Sequence, residues 1–123
     1  MKLRLLDDSI RLRLSRSEVL AAEDHGTVEG RTRFPDGSSL VFALESTPAA
    51  ASARLSGERL LVSLPAAEIA AWAADDTAVS LRAELPLADG SELKLLVEKD
   101  FQCVTPRGDE DQSDLFPNPE SSC

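Results

Sequence analysis

The stretches KLRLLDDSIRLRLSRSEVLAA at residues 2–22 and SARLSGERLLVSLPAAEIAAW at residues 52–72 align on each other without a gap. Further along, DGSSLVFALE at residues 36–45 aligns with DGSELKLLVE at residues 89–98. Apolar alternation, turn residues and a helical pattern occur in the same order in both copies. Self-similarity of this kind indicates a repeated structural unit.

Between residue 22 and residue 36 of the first copy, the alignment needs three gap residues. We place one of them before Arg31, which then falls on Arg82. The two copies define halves at residues 2–45 and 52–98. Each half is too short to build an independent core of ordinary size. We therefore predict a single duplicated domain over residues 1–98.

Each half is predicted to form two strands, a helix and two more strands. In the first half Ile10, Leu12 and Leu14 alternate with arginines, which is typical of a strand with one buried face. Ser15 and Glu18 then have the spacing of a capping box at a helix start. The sequence predicts an α+β fold in which ββαββ units form one pseudo-twofold curved antiparallel sheet or barrel with two helices.

Turn and helix signals support the same order of elements in both halves. Gly26 is placed to end the first helix in the left-handed conformation. Pro65 is placed as the first residue of a second helix over residues 65–75, where its missing N–H costs nothing. The Asp-Gly pairs at Asp36 and Asp89 are typical of turns between strands.

Composition excludes several classes of protein. The chain has 123 residues, 42% hydrophobic and 28% charged, with a formal net charge of −9. This charge argues against binding nucleic acid through a generally basic surface. No apolar run has the length of a membrane span, and no export signal is visible, so we expect a cytoplasmic protein that contacts no membrane. Ten of the thirteen basic residues are arginine, which suggests a bacterial source.

Residues 99–123 form an acidic, cysteine-containing C-terminal segment that has no counterpart in the first half. Proline and acidic residues are typical of a disordered tail. Phe101 and Phe116 argue against that interpretation, because large apolar side chains favour burial. We predict that the segment packs on the domain.

The opening MKLRL…SIRLRLSRSEV, the middle LPAAEIAAWA and the ending LLVEKDFQC…EDQSDLFPNP…C resemble a family of small uncharacterised bacterial proteins, a domain of unknown function. The resemblance covers nearly the whole chain, and its most distinctive part is the ending. It implies no assigned activity.

The C-terminal segment also carries the candidate metal ligands Cys103, Cys123, Asp111 and Asp114. Thiolates with carboxylates suit zinc or iron. Three alternatives remain open. They are a calcium loop beginning at Asp109, a disulfide between Cys103 and Cys123, and redox or nucleophilic chemistry at one thiol.

A stripe of arginines is the second candidate feature. The alternation places Arg11 and Arg13 on the wet side of the first hairpin, and Arg31 on the wet side of a later strand. A solvated face that deters edge pairing is one interpretation. The other is docking of an acidic partner, which includes the chain's own residues 109–114. Arg11, Arg13, Arg31 and Phe116 are the candidate partner-binding residues.

The sequence thus favours a small binding or accessory module that uses its C-terminal Cys/Asp segment for a metal or a partner. The alternative is a metal- or thiol-dependent enzyme. The partner would be an unknown protein or a second copy of the chain.

Overall fold

The computed structural model describes residues 1–101 and 114–117. Within them, the order strand, strand, helix, strand, strand occurs twice, as the repeat predicts. The strands are β1 (Lys2–Leu5), β2 (Ser9–Leu14), β3 (Thr27–Arg33), β4 (Ser39–Thr47), β5 (Ser52–Ser56), β6 (Arg59–Pro65), β7 (Ser80–Pro86) and β8 (Glu92–Lys99). The helices are α1 (Arg16–His25) and α2 (Ala66–Ala74). The predicted α+β class is confirmed.

The strands form two sheets, and each sheet takes one hairpin from each half. The hairpins β1–β2, β3–β4, β5–β6 and β7–β8 are antiparallel. Between halves, β2 pairs with β8 and β4 pairs with β6, and both of these pairs are parallel. The strand order is β1-β2-β8-β7 in the first sheet and β3-β4-β6-β5 in the second.

The prediction of one antiparallel sheet or barrel is therefore wrong. The structure has two mixed four-stranded sheets, and neither is closed. The reason lies in the helices: α1 follows β2 of the first sheet and precedes β3 of the second, so the chain changes sheet at each helix. Apolar alternation shows which face of a strand is buried, but it does not choose the neighbouring strand.

The two sheets are similar units. In the parallel pair of the first sheet Ser9 lies opposite Lys94, and in that of the second sheet Arg59 lies opposite Val41. Ser9 and Arg59 are 50 positions apart, and Val41 and Lys94 are 53 positions apart. These two separations are the offsets of the sequence alignment, so the registers of the two sheets correspond.

The register corrects the alignment around β3 and β7. Thr27 lies opposite Glu45, and Ser80 lies opposite Glu98, so a separation of 53 positions already applies to these strands. Arg82 is consequently equivalent to Glu29 rather than to Arg31. All three extra residues of the second half fall in the loop between α2 and β7, where they disturb no strand pairing.

The caps of α1 form as predicted. Ser15 Oγ accepts a hydrogen bond from the Glu18 amide at 3.4 Å, Glu18 Oε1 accepts one from the Ser15 amide at 2.9 Å, and Gly26 ends the helix at φ 76°. Helix α2 differs from the prediction, because Pro65 is the extended last residue of β6 and precedes the helix. Neither helix in the described part of the chain is long and apolar enough to cross a membrane.

One core unites both sheets and both helices. Buried side chains from every layer join a single cluster that includes Leu12, Leu14, Val19, Leu44, Val62, Leu64, Ile69, Trp72 and Val97. The indole Nε1 of Trp72 donates a hydrogen bond to the Val79 carbonyl at 3.1 Å, which satisfies its one buried donor. The inner sheet faces bury most of the large apolar residues, and the outer face of the first sheet carries mainly charged residues.

Candidate functional site on the outer face of the first sheet

The outer face of the first sheet is the candidate site, and we call it the basic face. The outward strand positions carry six basic residues and three carboxylates, a net charge of +3 in a chain whose net charge is −9, and Lys2 among them is paired with Asp100 just beyond β8. Six of the thirteen basic residues occupy outward positions on the four strands of this face: Lys2, Arg4, Arg11, Arg13, Arg82 and Lys94. The carboxylates are Glu84, Glu92 and Glu98.

Strand register places like charges side by side on this face. Arg4 lies opposite Arg11, and Lys2 lies opposite Arg13. Like charges directly opposite each other destabilise a sheet. The fold therefore carries a local electrostatic cost at β1 and β2 that needs a compensating carboxylate.

Glu98 of β8 supplies that carboxylate. Its Oε1 accepts hydrogen bonds from Arg11 Nε at 2.7 Å and from Arg13 Nε at 2.6 Å, and it lies 2.5 Å from Arg11 Nη2. Glu98 is 9% exposed, so these contacts are largely shielded from water. A buried carboxylate shared by two guanidinium groups fixes both arginine side chains. The cluster of Arg11, Arg13 and Glu98 still has a net charge of +1.

A hollow of about 300 Å³ lies beside this cluster on the basic face. Cationic side chains of Arg4, Arg11, Arg82 and Lys94 line it, and Glu84 is the one carboxylate among its lining residues. Leu6 and Leu96 add apolar surface to the lining. Arg4, Arg82 and Lys94 form no ion pair with another described residue, so the described residues leave part of the positive charge of the hollow uncompensated.

The second sheet shows that the fold does not require these cations. The positions equivalent to Arg11, Arg13 and Lys94 hold Leu61, Ser63 and Val41. Glu45, the equivalent of Glu98, accepts a hydrogen bond from Ser63 Oγ at 3.1 Å instead of pairing with arginines. The same backbone forms with neutral residues at these three positions, so the strand pairing itself does not require cations there.

The far edge of the basic face is acidic. Glu84 and Glu92 lie close together near the β7–β8 turn. Hydrogen bonding and repulsion from Glu84 raise the pKa of the Glu92 carboxyl, and the nearby Lys94 partly opposes this. The charge of the face therefore changes sign toward this edge, which would orient an acidic ligand along the strands.

The end of β8 carries a second cluster of charged groups that are largely buried. Lys99 is 3% exposed, and its Nζ donates a hydrogen bond to the Asp75 carbonyl at 2.8 Å. It also lies 5.7 Å from the Trp72 ring centroid and 5.3 Å from that of Phe116. Burial lowers the pKa of Lys99, while Asp76 and Asp75 oppose the shift. Lys99 thus connects the end of α2 to Phe116.

The next two residues, Asp100 and Phe101, also contact Phe116. Asp100 is 5% exposed and pairs with Lys2 at 2.8 Å. Its amide donates to the Leu14 carbonyl at 2.9 Å, and its carbonyl accepts from the Phe116 amide at 3.0 Å. The rings of Phe101 and Phe116 lie 5.5 Å apart, a distance typical of an aromatic pair.

Asp114 connects the C-terminal segment to the N-terminus of α1. Its Oδ2 accepts a hydrogen bond from Ser17 Oγ at 2.5 Å, and its carbonyl accepts one from the Arg16 amide at 2.9 Å. Side-chain hydrogen bonds from Ser17 and Ser15 hold the pKa of the Asp114 carboxyl below its usual value. A carboxylate at this position also interacts favourably with the helix dipole.

A family model matches residues 1–120 of the chain, which is almost its whole length. The chain belongs to the family of unknown function DUF7009. No curated protein and no solved structure matches it. Family membership therefore supports the resemblance that the sequence motifs suggest, and it brings no activity with it.

The DUF7009 ending of this chain has a structural role where the structure describes it. Glu98, Lys99 and Asp100 of the EKDF motif each form an ion pair or hydrogen bond with another element. Leu115 is buried, at 7% exposure, and the partly buried Phe116 packs against the core cluster. The packing of the remaining C-terminal residues stays a prediction.

The predicted metal site lies mostly outside the described residues. Cys103, Cys123, Asp111 and Asp109 lie outside them. The alternative interpretations as a calcium loop, a disulfide or a reactive thiol therefore also fall outside the described residues. Asp114 is described, and its carboxylate accepts hydrogen bonds from Ser17. In the described residues no three His, Cys, Asp or Glu side chains lie close enough together to hold a metal ion. A zinc or iron site stays a prediction.

The predicted partner-binding residues occupy three separate places. Arg11 and Arg13 converge on Glu98, while Arg31 lies on the outer face of the second sheet and Phe116 packs against Phe101. Docking of residues 109–114 on Arg11 and Arg13 is not seen for Asp114, and residues 109–113 lie outside the described part.

Sequence reasoning missed Arg82 and Lys94 as members of the site. Both lie in the second half, more than 60 positions from Arg11 in sequence. The outward alternation of β7 and β8 was available as a signal, but only the β2–β8 pairing brings these cations beside Arg4 and Arg11.

Proposed function

We propose that this protein is a binding module whose basic face binds an acidic segment of a partner protein. The observation that carries the proposal is the hollow on that face, which is lined by four cationic residues, by three leucines and by one carboxylate, Glu84. Arginine recognises carboxylates through directed, paired hydrogen bonds. A carboxylate-rich segment matches this chemistry.

The charge distribution of the molecule supports an acidic ligand. The basic face is positive, whereas the chain as a whole is strongly negative. Such an arrangement attracts a carboxylate-rich ligand to one face and repels it from the rest of the surface, which favours a single binding orientation.

The arginines are preorganised for binding. Arg11 uses Nε and Nη2 to contact Glu98, and its Nη1 has no hydrogen-bond partner among the described residues. A side chain already held in place loses less conformational entropy when a ligand binds. Glu98 therefore prepares Arg11 to present its remaining donors to a carboxylate.

The size of the hollow favours a short segment over a folded domain. A volume of about 300 Å³ is at the lower end of the range for ligand sites and accommodates a few side chains. The surface of Leu6 and Leu96 provides apolar contact for the methylene groups of glutamate. The other interpretation, a metal- or thiol-dependent enzyme, depends on Cys103 and Cys123 and stays a prediction, as does a cytoplasmic location.

The test uses a capped hexaglutamate peptide, titrated into isotopically labelled protein and followed by amide chemical shifts. We expect shifts confined to the β1–β2 hairpin, the middle of β7 and the middle of β8. Arg4→Ser and Arg82→Ser should each weaken binding about threefold, as expected for loss of one partly exposed charge contact. Raising the salt concentration should weaken it further.

The matched control is Arg54→Ser. Arg54 is exposed on β5 at the position equivalent to Arg4, and its loss changes the net charge by the same amount. It should leave binding unchanged. Equal losses in Arg4→Ser and Arg54→Ser, or shifts spread over both sheets, would show that only net charge matters and would contradict the proposal.

A further inference from the structure

The β3–β4 and β7–β8 turns have the same backbone. The Phe34 amide donates to the Ser38 carbonyl at 2.8 Å, and the Leu87 amide donates to the Ser91 carbonyl at 2.8 Å. In both turns the carboxylate of the aspartate accepts hydrogen bonds from the amide and hydroxyl of the serine two residues later. The two turns are therefore internal controls for each other.

The side chains around these equivalent turns differ in kind. Phe34 is 47% exposed, whereas Leu87 at the same place in the other turn is half-buried. Arg31 and Arg33 precede Phe34 on the outer face of β3, and their equivalents in β7 are Glu84 and Pro86. Because the turn forms equally well with Leu87, its backbone does not require an exposed aromatic ring between arginines.

A shallow hollow of about 610 Å³ lies at the β3–β4 turn. It is lined by Arg31, Arg33, Phe34, Pro35, Gly37, Ser38 and Ser39. Neither arginine forms an ion pair with another described residue. Hydrogen bonds from Ser38 hold the Asp36 carboxylate within its own turn and lower its pKa. The surface thus combines an exposed ring with two cations that the described fold leaves uncompensated.

We propose that Arg31, Arg33 and Phe34, which we call the Phe34 surface, form a second docking site for a protein segment that carries an apolar side chain among acidic residues. The apolar side chain would pack on the Phe34 ring, and neighbouring carboxylates would pair with the two guanidinium groups. Phenylalanine and arginine are both enriched at protein interfaces relative to the rest of the surface. This surface belongs to the second sheet, so the inference does not depend on the basic face.

Three capped, fluorescein-labelled nonapeptides test this inference by fluorescence anisotropy. The first has a central Leu flanked by four Glu on each side, the second has Ala at the centre, and the third has Gln in place of every Glu. We expect the first to bind, and each change to weaken binding about tenfold, since both the apolar and the charged contact are needed. Amide shifts at Arg31–Ser39 distinguish this surface from the basic face.

Variants of the protein complete the test. Measured at the amide signals of residues 31–39, Phe34→Ala and the double variant Arg31→Ser/Arg33→Ser should each weaken binding of the first peptide about tenfold. Leu87→Ala, the matched change in the equivalent turn, should leave binding unchanged, and thermal unfolding checks that every variant remains folded. The inference is overturned if Phe34→Ala binds as tightly as the wild type, if the Ala-centred peptide binds equally well, or if the amide shifts appear only on the basic face.

Discussion

Gly30 and Phe42 show at the residue scale how the two sheets use different side chains in equivalent places. Phe42 lies opposite Gly30, and a Cβ atom added to Gly30 would lie 2.7 Å from its ring. The equivalent residues of the first sheet are Ala83 and Leu95, which also lie opposite each other. A small residue thus accompanies the large ring, and a slightly larger one accompanies leucine.

This complementarity predicts coupled effects on stability. Gly30→Ala should lower the free energy of unfolding by about 1–2 kcal/mol, because the Phe42 ring must move. Phe42→Leu should lower it by about 1 kcal/mol through lost packing. The double variant recreates the pair found in the first sheet. Its loss of unfolding free energy should be about 1 kcal/mol smaller than the sum of the two single losses. Urea unfolding measures all three, and strictly additive losses would contradict the explanation.

At the same scale, sequence reasoning succeeded where the interacting residues are close in the chain. The capping box of Ser15 and Glu18 and the stop at Gly26 involve hydrogen bonds within a few positions. The contact of Arg11 and Arg13 with Glu98 spans more than 80 positions, and no local pattern specifies it. Charge type suggested that these arginines have a partner, but only the fold identifies Glu98.

The C-terminal segment and α1 interact at the scale of elements. Asp114 accepts hydrogen bonds from Ser17 and from the Arg16 amide, and the neighbouring Leu115 is buried. The pKa of Asp114 is lowered, so its carboxylate favours the attached state above the usual aspartate pKa of 3.8. This contribution is lost as the pH falls through the lowered pKa of the folded state.

We therefore expect the amide signals of Ser17, Leu115 and Phe116 to move together as the pH falls from about 6 to below the usual pKa of aspartate, and to report loosening of the segment. In Asp114→Asn these signals should be insensitive to pH over that range. Asp89→Asn is the control, because the pKa of Asp89 is also lowered but by hydrogen bonds from Ser91 within its own turn. Unchanged pH dependence in Asp114→Asn would exclude Asp114 as the origin.

The predicted elements themselves agree with the structure, and the error lies in how they pair. Hairpins could be predicted because a short turn joins antiparallel neighbours. The parallel pairs β2–β8 and β4–β6 join strands from different halves, and the sequence between them includes helices and other strands. Such pairs depend on the global packing of both amphipathic helices, which alternation alone does not specify.

At the scale of the whole molecule, the interleaving of the two halves determines how the protein can fold. Each sheet consists of one hairpin from each half, and the parallel pairs at the sheet centres connect them. Isolated two-stranded hairpins are marginally stable in water. The core likewise takes side chains from both halves into one cluster. Neither half therefore has a complete sheet or a complete core of its own.

The last prediction follows from this architecture. Fragments 1–50 and 51–123 should each be unfolded as monomers, and mixing them should restore the circular dichroism and dispersed amide spectrum of the intact chain. A protease site inserted between β4 and β5, where residues 48–51 connect the halves, provides the control. Cleavage there should leave the folded protein assembled, because no strand pairing is cut. A monomeric fragment with a dispersed spectrum would show that a half folds alone, and the two parallel pairs would then be a docking interface between finished units rather than the step that completes each sheet.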